Sequence, residues 1–148
     1  MGVYLNPGND GFWKAVRSKI YVDKTGLIAY TNELINTEQQ FICVSRPRRF
    51  GKSMALKMLA AYYSSGCDSA DLFRGRRIEQ YESYQEHLNQ YDVIYLNMQQ
   101  FLIRAKNQCV TEYLERVVLA DIRRVYGEVF SAEETILAAA LEQIHSET

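Results

Sequence analysis

"FICVSRPRRFGKSMALKMLAAYY", residues 41–63, is the stretch on which the fold turns. Its first part, "FICVS" (41–45), is short, apolar and partly β-branched, and reads as a buried strand of a parallel sheet. A basic turn comes next, marked by Gly51. "KSMALKMLAAYY" (52–63) is then rich in good helix formers and repeats Leu56, Leu59, Ala60 and Tyr63 at helical spacing, with Gly66 beyond its end. A strand, a tight loop and a helix that opens on Gly51-Lys52-Ser53 suit phosphate chemistry. Unpaired amides of the first helical turn and the aligned peptide dipoles attract anions there. Gly51 permits close backbone approach and positive φ. Lys52 can bridge the β- and γ-phosphates, and the Ser53 hydroxyl can ligate Mg²⁺.

The loop departs from the usual form at its start, where Arg46 stands in place of glycine. Pro47 fixes its own φ, lacks an N–H and pushes Arg46 toward an extended conformation. Phosphate would therefore be cradled by amides from about Arg48 through Ser53, with Arg46, Arg48 and Arg49 adding positive charge. From Gln39 to Cys67 there are five cations and no acid, so a chain of net charge −1 carries −6 outside this segment. Gly-Lys-Ser alone occurs by chance. Its flanks favour a nucleotide phosphate over a solvated basic turn or a patch that meets nucleic acid.

Working outward, "TGLIAYTNELIN" (25–36) places Leu27, Ile28, Leu34 and Ile35 on one helical face, with Asp23 or Thr25 as N-cap. "VIYLNM" (93–98) reads as a second strand. Val110, Tyr113, Leu114, Val117, Val118, Ile122 and Val125 form the stripe of a helix that Gly127 ends. Ser131 and Glu134 match a capping box ahead of a further helix, "TILAAALEQIH". The expected class is thus α/β, with a parallel sheet and flanking helices.

The 148 residues fit one domain by size, and 47% hydrophobic with 24% charged residues is ordinary for a soluble globular protein. No segment approaches the roughly 18 apolar residues of a membrane span, and no basic-then-apolar leader opens the chain, so a cytoplasmic location without membrane partners is expected. Cys43, Cys67 and Cys109 lack the short paired spacings of zinc or redox sites. His87 and His145 have no cluster of partners for metal or catalysis.

Four segments, "YVDKTGLI" (21–28), "RPRRFGKS" (46–53), "LFRGRRI" (72–78) and "YDVIYLNM" (91–98), resemble in order and spacing the AAA-ATPase-like family of predicted bacterial ATPases, over about residues 10 to 126. In that family Arg-Pro-Arg-Arg replaces the glycine-led loop. The resemblance implies a P-loop NTPase-like fold of AAA/ASCE type, with ATP and Mg²⁺ as cofactors. It implies a catalytic role for Lys52, nucleotide contacts from Arg48, Arg49, Phe50, Gly51, Lys52, Ser53 and Met54, and Mg²⁺ on Ser53. It invites Tyr21, Asp23 and Lys24 to the nucleotide base, whereas the residues themselves read as a helix cap and a packed tyrosine. Arg76 stands where the family more often has an apolar residue.

Relatives often continue into a PD-(D/E)XK nuclease-like domain, through which nucleic acid would be a partner, and nothing here corresponds to it. The acidic Walker B strand of the family is also missing. Asp92 precedes its expected strand and Asp121 lies on the 110–125 helix, so neither replaces it. Residues 1–148 are therefore expected to be the N-terminal portion of an AAA-ATPase-like domain with an incomplete sheet. Its exposed edges invite oligomerisation, and ATP hydrolysis is expected only in a longer protein. Two alternatives stay open: a nucleic-acid-binding module using Arg46, Arg48, Arg49 and Lys52, and a degenerate, interaction-only remnant.

Overall fold

The computed structural model describes residues 2–106, 108–127 and 137. The chain divides into two compact units, residues 6–93 and residues 1–5 with 94–148.

In the 6–93 unit, α1 (Asp10–Val16), α2 (Gly26–Leu34), α3 (Lys52–Tyr63), α4 (Ala70–Phe73), a 3₁₀ turn (Arg77–Gln80) and α5 (Ser83–His87) enclose one core. α3 buries Met58, Ala61 and Tyr62, and α1 meets it with Phe12 and Ala15. Phe12 stacks on Phe73 at 5.1 Å between centroids, and Tyr62 meets Phe73 edge-on at 5.3 Å. Such ring pairs add roughly 0.5–1.5 kcal/mol each beyond their buried area. Among the described residues of this core the buried side-chain polar groups are paired, except the Tyr21 hydroxyl. Tyr62 Oη donates to the Tyr84 carbonyl at 2.8 Å, and Tyr63 Oη donates to Asn32 Oδ1 at 2.6 Å. Burial pushes both tyrosine hydroxyls up to about 12. Asn89, in the left-handed region at φ 57°, closes the C-terminal end of α3, its side-chain amide donating to the carbonyls of Ala61 and Ser64. Gly66 is required by close approach, because a Cβ there would lie 2.8 Å from the Asn6 carbonyl oxygen.

In the other unit, α6 (Met98–Ala105) is capped by Asn97, whose side chain accepts the Gln99 amide, and α7 (Val110–Tyr126) ends at Gly127 as its stripe predicts. Val118 and Ile122 of α7 pack on Leu5. Asp121 accepts the amides of Val3, Tyr4 and Leu5 at 3.0, 2.7 and 2.9 Å, together with an Arg124 guanidinium N–H at 2.9 Å. The capping box at Ser131 and Glu134, and the helix expected after it apart from Leu137, lie outside the described residues, as does His145.

The α/β expectation is overturned. Among the described residues there is no β-strand and no sheet, only isolated bridges at Leu5↔Ile94 and Ser64↔Tyr91, so the parallel-sheet P-loop fold is not present. "FICVS" has no regular structure and every one of its residues is exposed, Phe41 at 88%. "VIYLNM" makes a single bridge, through Ile94, and its Met98 already belongs to α6. An apolar run becomes a strand only when neighbours take up its amides and carbonyls, and no described segment pairs with 41–45. The buried face of α3 shifts accordingly. Leu56, expected inward, is 51% exposed, while Met58 and Ala61 face α1 and the aromatic core. On α2 the inward face is Ile28, Ala29, Thr31 and Asn32, with Leu34 and Ile35 only half-buried.

Candidate functional site

The basic turn leads into α3 through two left-handed residues, Arg49 at φ 70° and Gly51 at φ 77°. Left-handed backbone without penalty is what Gly51 supplies; Arg49 adopts it at a cost of about 1–2 kcal/mol. The first helical bond runs from the Ala55 amide to the Gly51 carbonyl at 2.9 Å, so the amides of Lys52, Ser53 and Met54 have no intrahelical acceptor. Arg48, Arg49, Phe50, Ser53 and Met54 are exposed, and Gly51 and Lys52 are half-buried. The Lys52 ammonium turns back onto its own loop, donating to the Arg46 carbonyl and, at 3.1 Å, to the Pro47 carbonyl.

A second lysine joins it from outside the loop. Lys24 Nζ donates to the Phe50 carbonyl at 2.9 Å and lies 2.7 Å from where a Cβ on Gly51 would stand. The first turn of α3 holds no acid. Cations at the positive end of a helix are unfavourable by about 0.3–1 kcal/mol each at low salt, a cost that an anion placed there would lower.

Segments far apart in sequence converge here. Asp23 accepts the Thr25 amide at 2.8 Å and the Arg77 amide at 3.0 Å, and the Thr25 hydroxyl accepts the Ile78 amide at 3.2 Å. Burial alone would push the Asp23 carboxyl up. The Thr25 and Arg77 amides, the Thr25 hydroxyl and the Arg76 guanidinium outweigh it and hold the group below the usual carboxylate range. Arg76 lies over the Tyr21 ring at 4.8 Å from its centroid, and Phe12 meets that ring edge-on at 6.2 Å. Asp23 and Thr25 are thus framework, tying the 21–25 segment to the 3₁₀ turn, and Arg76 shields an aromatic face. The residue reading of a helix cap and a packed tyrosine holds for the packing of Tyr21 against Phe12 and is corrected for the cap: neither Asp23 nor Thr25 caps α2 with its side chain, both being turned to the 3₁₀ turn instead. The resemblance brings Lys24 to the nucleotide base, whereas its ammonium lies on the Phe50 carbonyl of the loop, a contact the sequence reading does not include. The signal available was the joint occurrence of "YVDKT" and "RPRRFGKS".

Asp92 and Asp121, the two acids compared above with the family's metal-holding carboxylate, are both engaged elsewhere. Asp121 is committed to residues 3–5, and Asp92 Oδ1 accepts Asn6 Nδ2 at 2.5 Å and the Ser65 hydroxyl at 3.2 Å. Among the described residues no group of three or more His, Cys, Asp or Glu side chains could hold a metal ion, and none of the helices is long and apolar enough to cross a membrane. Cys43, Cys67 and Cys109 are free thiols.

Amides without an intrahelical acceptor, two lysine ammoniums and no acid in the first turn give the mouth of α3 the kind of charge that suits an anion. The chain matches the family model described as a predicted AAA-ATPase over residues 13–148, and it belongs to that family. Membership makes it AAA-ATPase-like, a nucleotide-binding class, although the described residues carry none of the sheet that the class leads one to expect. No curated protein and no solved structure matches it.

Proposed function

We propose that residues 48–54 bind the phosphates of ATP, with Lys52 as the principal charge and Ser53 as the residue nearest to an accompanying Mg²⁺. Family membership and the acid-free, amide-rich mouth of α3 support this reading. The donor set fits a polyphosphate: each of its donors is an N–H or an ammonium, and the only hydroxyl of the first turn, Ser53, is exposed. One hydroxyl is a small contribution to a metal. Mg²⁺ usually keeps several waters and takes few protein ligands beside substrate phosphates, so the ion fits here as one carried on the nucleotide.

The chain's own part can be stated residue by residue. The Lys52 ammonium exchanges the Arg46 and Pro47 carbonyls for phosphate oxygens, the amides of Gly51 to Met54 point donors at the anion, and Arg48 and Arg49 raise the local positive potential. Mg²⁺, when bound, neutralises charge between the terminal phosphates. A titration of MgATP into wild type and Lys52→Ala tests the reading. Binding in the micromolar to low millimolar range, weakened at least about tenfold by loss of one charge-assisted bond, is expected. Equal affinity of the two proteins contradicts it.

A second reading has its own observation: Arg46, Arg48 and Arg49 are all exposed beside Phe41 and Phe50, at 88% and 60% exposure, a basic surface with accessible rings of the kind that binds single-stranded nucleic acid. Competition separates the two. Oligonucleotide that binds tightly and is not displaced by millimolar MgATP favours the second.

A further inference from the structure

Within the 6–93 unit, Lys24 stands in a frame that leaves its backbone little freedom. On one side Asp23 accepts the Arg77 amide at 3.0 Å, and on the other the hydroxyl of the fully buried Thr25 accepts the Ile78 amide at 3.2 Å. Both neighbours are thus tied to the 3₁₀ turn, and the Lys24 carbonyl accepts the Leu27 amide at 2.9 Å. Only the side chain leaves this frame. It is exposed and ends on the Phe50 carbonyl at 2.9 Å, 26 residues along the chain. That carbonyl belongs to the same planar trans peptide as the Gly51 N–H, and in such a unit the two groups point in opposite directions. Holding the oxygen on Lys24 therefore turns the Gly51 N–H to the other side. The peptide has a second orientation open to it. A half-turn changes chiefly ψ of Phe50 and φ of Gly51, and glycine, here at φ 77°, takes either sign of φ about equally well. Turned over, the peptide would present an oxygen where a bound anion needs a donor.

We propose that Lys24 is a positioning residue of the anion site: by holding the Phe50 carbonyl it selects the orientation of the Phe50–Gly51 peptide in which the Gly51 N–H donates to phosphate. The proposal rests on the phosphate reading and adds the residue that prepares the loop before a ligand arrives. The two lysines then have different tasks. Lys52 leaves the Arg46 and Pro47 carbonyls to meet phosphate, whereas Lys24 keeps its carbonyl throughout.

Lys24→Met, at an exposed position, retains the length of the side chain and removes its donor. Amide spectra of the free full chain should show one sharp Gly51 signal in wild type, and in Lys24→Met a signal split or broadened by exchange that becomes single at saturating ligand. In titrations the variant should bind MgATP and magnesium tripolyphosphate equally more weakly than wild type, by about fivefold, the worth of one hydrogen bond. A single sharp Gly51 signal in the free variant, unchanged affinity, or a loss confined to ATP each overturns the role of Lys24 and leaves the phosphate reading standing. Wild type that binds neither ligand overturns both.

Discussion

Asp121 shows how one side chain can anchor a segment more than a hundred residues away. Burial pushes its carboxyl up, but the amides of Leu5, Val3 and Tyr4 and the Arg124 guanidinium outweigh burial and hold it below the ordinary range. A carboxyl depressed in the folded state contributes stability above its unfolded value, near 3.9, and loses that contribution as the pH falls through the folded value. Acid titration should therefore release residues 3–5 below about pH 4, and Asp121→Ala should cost about 2–4 kcal/mol at neutral pH and flatten that acid limb, as chemical denaturation across pH would show. Gly51→Ala belongs at the same scale. It places a Cβ in the left-handed region and against Lys24, for a loss of about 1–2 kcal/mol together with weaker nucleotide binding, measurable by denaturation and titration. The need for glycine at 51 is visible in the motif. The bonds of Asp23 and Lys24 are not, because their partners stand 54 and 26 residues away and nothing local announces them.

At the level of elements, α3 depends on a residue well beyond its C-terminus. Asn89 supplies two side-chain donors and a backbone amide, bonded to the Tyr62 carbonyl at 2.7 Å, to carbonyls at the helix's end that would otherwise lack partners. Asn89→Ala should lower stability by about 2 kcal/mol and speed amide exchange in the last turn of α3, while Asn89→Gly recovers only the backbone strain. Periodicity found α3 and α7 because helices bond within themselves and their patterns survive any tertiary setting. It failed for "FICVS" because a strand's bonds are made elsewhere, and apolar, β-branched composition cannot say whether a neighbour is present. The inner face of α3 also differs from the apolar spacing, since Leu56 is exposed while Met58 and Ala61 are buried.

For the molecule taken whole, charge and exposed apolar surface are the informative quantities. Five cations crowd into residues 39–67 of a chain whose net charge is −1, and the same region exposes Phe41, Ile42, Val44, Phe50 and Leu56. Exposed apolar side chains, where they form one patch, favour association. If the chain self-associates through this surface, Phe41→Ser should weaken that association about tenfold in sedimentation, the worth of burying one aromatic ring, while leaving the folded stability of the monomer within about 0.5 kcal/mol because Phe41 is already in solvent. Composition alone gave the distribution of charge; that the apolar run would lie open was visible only once its missing partners were.

The central claim is that amides at the mouth of α3 hold nucleotide phosphate, and residue-resolved amide spectra of the chain titrated with MgATP test it most directly. The signals of Gly51, Lys52, Ser53 and Met54 are predicted to move most, saturably, and in Lys52→Ala those of Gly51, Ser53 and Met54 to need at least about tenfold more nucleotide. Signals that remain fixed at these four residues at millimolar nucleotide, or that move equally in the variant, would contradict it.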